Sequence, residues 1–484
     1  MSTPERPDRL SPPRIYLLVV LTLVLLPFSA SLYPRTWTVE ELGLGAYLSV
    51  VWTLPTGLSV MAIVGAVLAR RSLRHPVGLD ASSSTDALLV VQVPTIGRYD
   101  VMPALRRVVG SMEESLPVNF ANWRVDVVAE ESSEARDELE ALRSEHVRIL
   151  YVPAAYESPN GTQAKARANC WLDQLRQEEG ESRDDVWVLH MDDDTAIAAD
   201  TAEQIARFVN SNPSGKRGAK LLAQGVLTYP RQFSSNGLVW LADAVRPASD
   251  LSVFRLWTGG GRPLLGAHGE LLLVRADVES SLGWDYGRDL SITEDANFAL
   301  MFATRFPGRS AWFPARCYGS APESFSDLVK QRKRWARGLL HVARNPAVPL
   351  RNRLLLRYAL TSWVLGPLQH VLVVLGVAAL LGLRYTAPVQ QWLLLPWALN
   401  MAVGVWMYID GLRANVQASG RPVPLRYWVG LLLIPVFTLV EGWAGLRGFA
   451  AYLKDRLGIG RSELFEVISK THETPLTTGG TRAA

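Results

Sequence analysis

Cysteine is scarce in this sequence, with two residues in 484. Cys170 and Cys317 stand far apart and lack the spacing of metal ligands. A disulfide framework is therefore excluded, and two buried thiols in a reducing compartment are expected. The sequence also lacks an internal repeat and a basic motif interleaved with aromatic residues. Nucleic acid is therefore not an expected partner, despite the net charge of +4.

Charged side chains are missing from long apolar runs. Residues 15–32 and 42–69 carry none, and the second run is long enough to cross a bilayer. A signal peptide is the alternative for the first run, but no convincing small-residue cleavage site follows it. Three more apolar stretches lie near 354–383, 391–409 and 427–446. We therefore predict a multi-pass integral membrane protein that contacts membrane lipids.

The distribution of arginine predicts the orientation of the first two spans. Basic residues flank them on the outer ends, whereas the loop between them offers Arg35 against Glu40 and Glu41. The flanking residues are Arg6, Arg9, Arg14, Arg70, Arg71 and Arg74. The positive-inside rule then places the N-terminus and the central domain in the cytoplasm. The topology of the later spans stays open, with breaks expected at Pro367 and Pro435.

The segment between the apolar regions alternates strand-like and helical patterns. Strands are predicted at 87–94, 123–130, 147–152 and 186–189, and helices at 102–112, 133–144 and 164–177. This alternation is typical of an α/β fold with a mainly parallel sheet, in which ligands bind beyond the carboxyl ends of the strands. The predicted parts are a disordered N-terminus (1–14), two transmembrane helices (15–70), the α/β domain (85–320), interfacial amphipathic helices (321–353), C-terminal transmembrane helices (354–449) and a tail (450–484).

Three consecutive aspartates follow the strand at 186–189. Asp192 and Asp194, separated by one residue, can turn toward one hard divalent cation, Mg²⁺ or Mn²⁺, that also holds phosphate oxygens. The alternative is a solvated acidic turn. The metal interpretation is favoured because of the motifs downstream.

Two further groups stand at positions suited to a nucleotide. Glu130 and Glu131 end the second strand, where they either contact a base or ribose or remain solvated. Lys165 and Arg167 lie at the start of a helix, where they either contact phosphate or form an ordinary polar helix face.

Asp295, in the segment Thr293-Glu294-Asp295, is the candidate general base. Its carboxylate would take the proton of an attacking sugar hydroxyl. Thr293 as a helix cap, with both acids on the helix dipole, is a structural use that does not exclude catalysis.

The run from Gln331 to Trp335 is strongly basic and precedes an apolar stretch. It predicts either a helix on the membrane surface, or a site in which Trp335 stacks on a sugar and Arg334 contacts a diphosphate. The other two motifs favour the second interpretation.

Together these motifs resemble the membrane-bound family 2 glycosyltransferases, and in particular the egghead-type β-1,4-mannosyltransferases. The resemblance covers about residues 88–345 and includes Thr95 to Asp100, Trp187 to Asp192, Gln224 to Tyr229, and Gln331 to Trp335 with Gly338. It implies a GT-A fold and inversion at the anomeric carbon, with Asp295 and Glu294 as catalytic residues. The resemblance also implies a characteristic segment after the last span. Phe465 to Lys470 is similar to that segment, which favours a cytoplasmic tail.

The resemblance further implies the binding residues. Donor contacts are expected at Pro94, Thr95, Glu130, Lys165, Asp192, Asp193, Arg334 and Trp335. Acceptor contacts are expected at His268, Gly269, Glu270, Gln331 and Trp335.

The leading hypothesis is an inverting, metal-dependent hexosyltransferase at the cytoplasmic face. It would move a hexose, with mannose as a candidate, from a GDP- or UDP-sugar to a glycolipid or glycan acceptor. A processive polysaccharide synthase is the alternative within the family. A membrane receptor or transporter that merely binds nucleotide is the non-enzymatic alternative.

Overall fold

The computed structural model describes residues 10–31, 53–74, 81–367 and 394–459. Eight strands form one sheet in this part of the chain. They are β1 (Leu88–Pro94), β2 (Trp123–Glu130), β3 (Val147–Val152), β4 (Val186–His190), β5 (Ala196–Ile197), β6 (Leu222–Thr228), β7 (Leu272–Arg275) and β8 (Ser310–Tyr318). The segment from Phe465 to Lys470 and most of the predicted disordered ends lie outside the described residues.

The α-helices surround this sheet and continue into the apolar segments. They are α1 (Tyr16–Ser31), α2 (Thr56–Arg74), α3 (Met102–Ser115), α4 (Arg136–Glu140), α5 (Ala164–Glu178), α6 (Thr201–Ser211), α7 (Gly237–Ala242), α8 (Val245–Ser249), α9 (Arg255–Gly259), α10 (Ala276–Leu282), α11 (Glu294–Arg305), α12 (Phe325–Val342), α13 (Leu350–Leu365), α14 (Leu394–Ala418), α15 (Leu425–Val429) and α16 (Ile434–Leu457). A π-helical turn, Asp250–Phe254, joins α8 to α9.

The strand order is β3-β2-β1-β4-β7-β6-β8-β5. Strands β3, β2, β1 and β4 are mutually parallel. Strand β7 runs antiparallel to both of its neighbours, β4 and β6, while β6 and β8 are parallel. The predicted α/β class with a mainly parallel sheet is confirmed.

Most of the strands and helices predicted in the first half of the domain are also confirmed. The helix predicted at 133–144 is the exception, since only Arg136–Glu140 is helical. At its start the Ser133 amide donates to the Glu130 carbonyl, and at its end the Ser144 amide donates to the Val147 carbonyl. These turns, at the end of β2 and the start of β3, leave room for little more than one helical turn.

The central strands are buried because helices cover both faces of the sheet. Residues at alternate positions of β1 pack toward different layers. Leu89, Val91 and Val93 join the core with α3, whereas Val90 packs with the β4 and α11 side. Strands buried on both faces read as continuous apolar runs, which is why β1 and β4 show no alternation in sequence.

Among the described residues, helix α2 and the continuous helical segment Leu425–Leu457 are long and apolar enough to cross a membrane. Helix α1 is also apolar but contributes a shorter described stretch, Tyr16–Leu26. Helix ends lie beside both predicted break points, because α13 ends two residues before Pro367 and α16 begins one residue before Pro435. The number of spans and the domain boundaries stay predictions.

The last helix packs directly on α12, the helix that carries the basic motif. A Cβ atom at Gly448 would lie 2.6 Å from the Lys333 carbonyl oxygen, so the two backbones approach closely. Arg337 of α12 forms an ion pair with Asp455 of α16, with Nε and Oδ2 2.6 Å apart. Helix α12 is thus held between the sheet domain and α16 rather than lying freely on a surface.

Both cysteines carry free thiols. Cys317 is buried as predicted, but Cys170 is half-buried, with its sulfur 3.3 Å from the Tyr156 hydroxyl oxygen.

Candidate active site

The candidate active site lies at the sheet edge where β1, β2 and β4 end and β7 begins. The pairing of Gln92 with His190, and of His190 with Leu272, brings the loops after β1 and β4 beside the loop before β7. A cavity of about 1050 Å³ opens at this edge. Every predicted catalytic, donor, acceptor and metal residue except Gly269 lines it, whereas the further candidates Glu131 and Arg167 do not.

Thr95 and Asp193 connect the loops after β1 and β4. The Thr95 hydroxyl donates to Asp193 Oδ2 at 2.8 Å, and it accepts a hydrogen bond from the Gly97 amide at 3.2 Å. Both side chains are buried. Asp193 therefore fixes the loop that begins at Pro94, while Asp192 and Asp194 line the cavity on either side of it.

Lys165, at the start of α5, points its ammonium group at the carboxylates. Its Nζ forms an ion pair with Asp192 and lies 3.9 Å from Glu294 Oε1. Although burial lowers the pKa of Lys165, Asp192, Glu294, Glu270 and Asp295 outweigh burial and raise this pKa above its ordinary value. Lys165 is therefore a cation surrounded by anionic groups.

We call Asp192, Glu270, Glu294 and Asp295 the carboxylate cluster. Burial and the neighbouring Asp192 raise the pKa of Glu270 well above its ordinary value. Burial and Asp295 raise the pKa of Glu294 to about 7. Burial also raises the pKa of Asp295, while Lys165 opposes this shift. These four acids lie close together because the loop after β4, the loop before β7 and the start of α11 meet at one edge of the sheet.

Gly269 leaves room for Lys165 and Asp295 to approach each other. A Cβ atom at this position would lie 2.4 Å from Lys165 Nζ and 3.4 Å from Asp295 Oδ2. Any side chain here would collide with the lysine. The other oxygen of Asp295, Oδ1, accepts a hydrogen bond from the Ala296 amide at 2.7 Å. Oδ2 is thus the carboxylate oxygen that faces Lys165.

Glu130, at the end of β2, lies farther out, with 39 % of its side chain exposed. It pairs with Arg167 of α5, whose guanidinium also donates to the Tyr156 carbonyl at 2.8 Å. This pairing links two groups that the sequence placed at separate nucleotide-facing positions.

His268 is held on both ring nitrogens. Nε2 lies 2.6 Å from Asp250 Oδ1, and Nδ1 lies 3.2 Å from an Arg246 nitrogen. Because Arg246 can only donate a hydrogen bond, Nδ1 is the acceptor. Nε2 therefore carries the hydrogen and donates a hydrogen bond to Asp250. His268 therefore orients its loop and has no free nitrogen for proton transfer.

Helix α12 forms the opposite wall with Gln331, Arg334 and Trp335. Two guanidinium groups lie against the Trp335 ring, with Arg332 Cζ 4.3 Å and Arg246 Cζ 4.6 Å from its centroid. Cation–π contacts at this distance fix the indole beside the cavity.

The residues present fit a divalent cation. Asp192 and Asp194 line the cavity and offer hard carboxylate oxygens. Within the described part of the chain, no group of three or more His, Cys, Asp or Glu side chains is placed to hold a metal ion. The protein would thus supply at most two ligands, and phosphate oxygens and water would complete the coordination, as is usual for Mg²⁺.

Arg246 and Asp250 were not predicted as site residues. They lie in the helical segment between β6 and β7, about twenty residues before the loop that they hold. No spacing or motif marks them, because their role depends on the tertiary fold. Arg332 was visible within the basic run but was not assigned a contact.

Glu294 makes the stability of the metal-free protein depend on pH. Because its pKa is raised to about 7 in the folded state from 4.5, the folded protein binds the extra proton between these values. Its contribution to stability is full below about pH 4.5 and is lost as the pH rises through about 7. In chelator-treated samples, the melting temperature of Glu294→Gln should therefore fall less between about pH 5 and about pH 7 than that of the unmodified protein.

Glu157→Gln serves as the control for this measurement, because Glu157 is exposed in the loop before α5 and does not line the cavity. Parallel pH curves for the unmodified protein and Glu294→Gln would contradict the raised pKa.

Comparison with known proteins gives consistent relatives. The profile of the family described as "Glycosyl transferase family group 2" matches residues 187–409. Beta-1,4-mannosyltransferase bre-3 of Caenorhabditis briggsae is 25% identical over 456 residues, covering 91% of this chain and 93% of the relative. Beta-1,4-mannosyltransferase egh of Drosophila melanogaster is 26% identical over 369 residues, covering 75% and 74%.

Among solved structures, the mannosyltransferase PcManGT from Pyrobaculum calidifontis in complex with GDP-Man and Mn²⁺ superposes with a TM-score of 0.47 at 15% identity. The alignment covers 85% of this chain and 99% of that chain.

The family profile starts at β4 and includes the aspartates, the Thr293–Asp295 segment and α12, while the two relatives extend the similarity over most of the chain. Residues 187–409 therefore match the group 2 family of glycosyl transferases, and the chain is a distant homologue of the egghead and bre-3 β-1,4-mannosyltransferases.

Proposed function

We propose that this protein is an inverting β-1,4-mannosyltransferase that moves mannose from a nucleotide sugar to a lipid-linked acceptor. The observation that carries the proposal is the convergence of Asp192, Lys165 and Asp295 on one cavity at the carboxyl edge of the sheet. The named activity of the two relatives supports the sugar and the linkage.

The nucleotide would bind at the ends of β1 and β2. Thr95, held by Asp193, shapes the first loop, and Glu130 with Arg167 borders the second. Lys165 and Arg334 lie on the walls of the same cavity, where they would neutralise the diphosphate.

Asp192 and Asp194 would hold the divalent cation, Mg²⁺ or Mn²⁺. When bound, this ion stabilises the negative charge of the departing nucleoside diphosphate. Lys165 already neutralises Asp192 and would pass to a phosphate oxygen as the donor enters.

Asp295 would act as the general base. Its Oδ2 would take the proton of the acceptor hydroxyl, while Oδ1 stays fixed by the Ala296 amide. A base pKa raised toward neutrality favours this transfer, because the carboxylate then binds the proton more tightly. Attack from the side opposite the leaving diphosphate inverts the anomeric carbon and forms a β-glycosidic bond.

The acceptor would enter between the helices on the membrane side. The cavity continues from the carboxylate cluster to side chains of α13, α14 and α16. More than half of its lining there is apolar or small, with Trp363, Gly366, Met401, Gly404, Val405, Met407 and Ile434, and the polar side chains Ser362, Asn400, Thr438 and Glu441 lie among them. Such a lining suits a lipid chain better than a polar glycan, which favours a lipid-linked sugar presented at the cytoplasmic face.

A panel of donors and metals tests the proposal on the purified full-length protein. We expect nucleotide release from GDP-mannose that requires a short-chain glycolipid and Mn²⁺ or Mg²⁺, with smaller release from UDP-glucose or UDP-N-acetylglucosamine. Mass spectrometry of the product should find one added hexose. A ladder of longer products would instead support a processive synthase. Nucleotide binding without sugar-dependent release from any donor, with or without metal, would refute the enzymatic proposal.

A further inference from the structure

A buried ionic network joins α12 to two helices on the membrane side. Arg332 Nε donates to Glu441 Oε1 of α16 at 2.7 Å, and another nitrogen of the same guanidinium donates to Asp243. The second oxygen of Glu441 accepts from Trp363 Nε1 of α13 at 2.8 Å. Arg332 is 2 % exposed, so its charge is neutralised by protein rather than by water.

The same guanidinium lies against the indole of Trp335. It therefore has two roles at once, because it bridges Glu441 and Asp243 and also stacks on a ring that lines the cavity. Arg246 contacts the same ring and also holds His268. Trp335 is thus fixed by contacts that extend to α16 on one side and to the loop before β7 on the other.

Stability alone gives little reason for this network. Removing one arginine and two carboxylates from water is costly, and apolar residues of similar size often stabilise a buried interface at least as well. A bridge of fixed geometry differs in that it specifies one orientation of the helices that it joins. Its position next to Trp335 makes that orientation relevant to the reaction.

We propose that Arg332 and Glu441 are positioning residues that set Trp335 for the acceptor sugar, so that the contact between α12 and α16 controls acceptor use. This inference rests on the proposed function, since it assigns Trp335 to the acceptor side. It predicts that disturbing Glu441 in α16 lowers the use of acceptor while leaving donor binding unchanged.

Two conservative variants test the pair in the full-length protein. Glu441→Gln keeps the shape but removes the charge, and Arg332→Lys keeps the charge but removes the planar fork that bridges two carboxylates. Each is expected to lower kcat/KM for the glycolipid acceptor about tenfold, mainly by raising its KM. The affinity for GDP-mannose should remain unchanged, which also shows that the variant is folded.

Trp443→Phe is the matched control, because Trp443 lies on α16 two residues from Glu441 and is 60 % exposed. It should behave like the unmodified protein. The deciding measurement is the combination with Trp335→Ala. If Glu441 acts through Trp335, then Glu441→Gln should have little further effect on kcat/KM in the Trp335→Ala protein.

The other outcomes overturn the inference. Normal acceptor kinetics in both conservative variants would remove the positioning role. Equal loss of donor and acceptor binding would make the network purely structural. A full tenfold effect of Glu441→Gln in the Trp335→Ala background would separate Glu441 from Trp335. If the unmodified protein itself transfers no sugar, the proposed function fails instead.

Discussion

Replacement of Asp295 by asparagine is expected to lower kcat about 10²–10⁴-fold, the usual contribution of a general base. The amide keeps the size of the side chain and can still accept a hydrogen bond from the Ala296 amide. It cannot take a proton from the acceptor hydroxyl. Because the nucleotide would contact the ends of β1 and β2, the affinity for GDP-mannose should change little. Single-turnover transfer measures the chemical step, and titration calorimetry measures donor binding.

The matched control is Asp289→Asn, which removes a mostly exposed carboxylate from the turn just before α11. It should keep normal turnover. The structure makes a second outcome informative, because Glu294 adjoins Asp295 and also has a raised pKa. If Asp295→Asn remained active while Glu294→Gln lost turnover with donor affinity intact, the base would be Glu294. Full activity of both Asp295→Asn and Glu294→Gln would reject the proposed mechanism.

Loss of the aspartates proposed to hold the metal ion is the second large effect. Asp192→Ala and Asp194→Ala are each expected to lower kcat/KM about 10³-fold, because metal stabilisation of a leaving group contributes several kcal/mol. In the protein without donor or metal, the two variants should differ in the contact that each substitution removes. Asp192→Ala removes the partner of Lys165, whereas Asp194 is bound through Oδ1 to the Thr195 hydroxyl at 3.2 Å.

Binding of Mn²⁺ in the presence of GDP-mannose, followed by electron paramagnetic resonance, tests this assignment directly. Both variants should bind the ion more weakly than the unmodified protein, and Asp289→Asn should bind it normally. Chelation should abolish transfer by the unmodified protein, and added Mn²⁺ or Mg²⁺ should restore it. Transfer that persists unchanged in chelator would show that Lys165 and Arg334 neutralise the diphosphate without a metal.

Local sequence patterns determined strands β1 to β4 and the positions of the acidic motifs, whereas β5 to β8 were not predicted. Strands β2 and β3 have the predicted bounds because apolar β-branched runs end there in charged or turn-forming residues. The placement of Asp192 after β4 and of Glu130 at the end of β2 followed from the rule that parallel strands end at one edge. The triplet Thr293–Asp295 was likewise found at the start of a helix, but the expected cap is wrong in detail, because the Thr293 hydroxyl makes no capping hydrogen bond.

The contacts between these motifs required the tertiary structure. Glu270 reaches Asp192 only because β7 pairs antiparallel with β4, and antiparallel insertion of this strand leaves no signal in its four residues. The pairs Arg332–Glu441 and His268–Asp250 join residues whose separation along the chain carries no information about their distance in space.

The sequence by itself therefore determined the α/β class, the edge of the sheet that carries the site, and a set of catalytic and binding candidates that nearly all line the cavity. These follow from short-range periodicity and from the chemistry of strand and helix ends. The tertiary structure alone decided that Lys165 neutralises Asp192, that Arg246 and Arg332 hold Trp335, and that α16 reaches the site through Glu441. Those contacts depend on how layers pack across long chain separations, and a buried charge takes whichever partner the packing brings within reach.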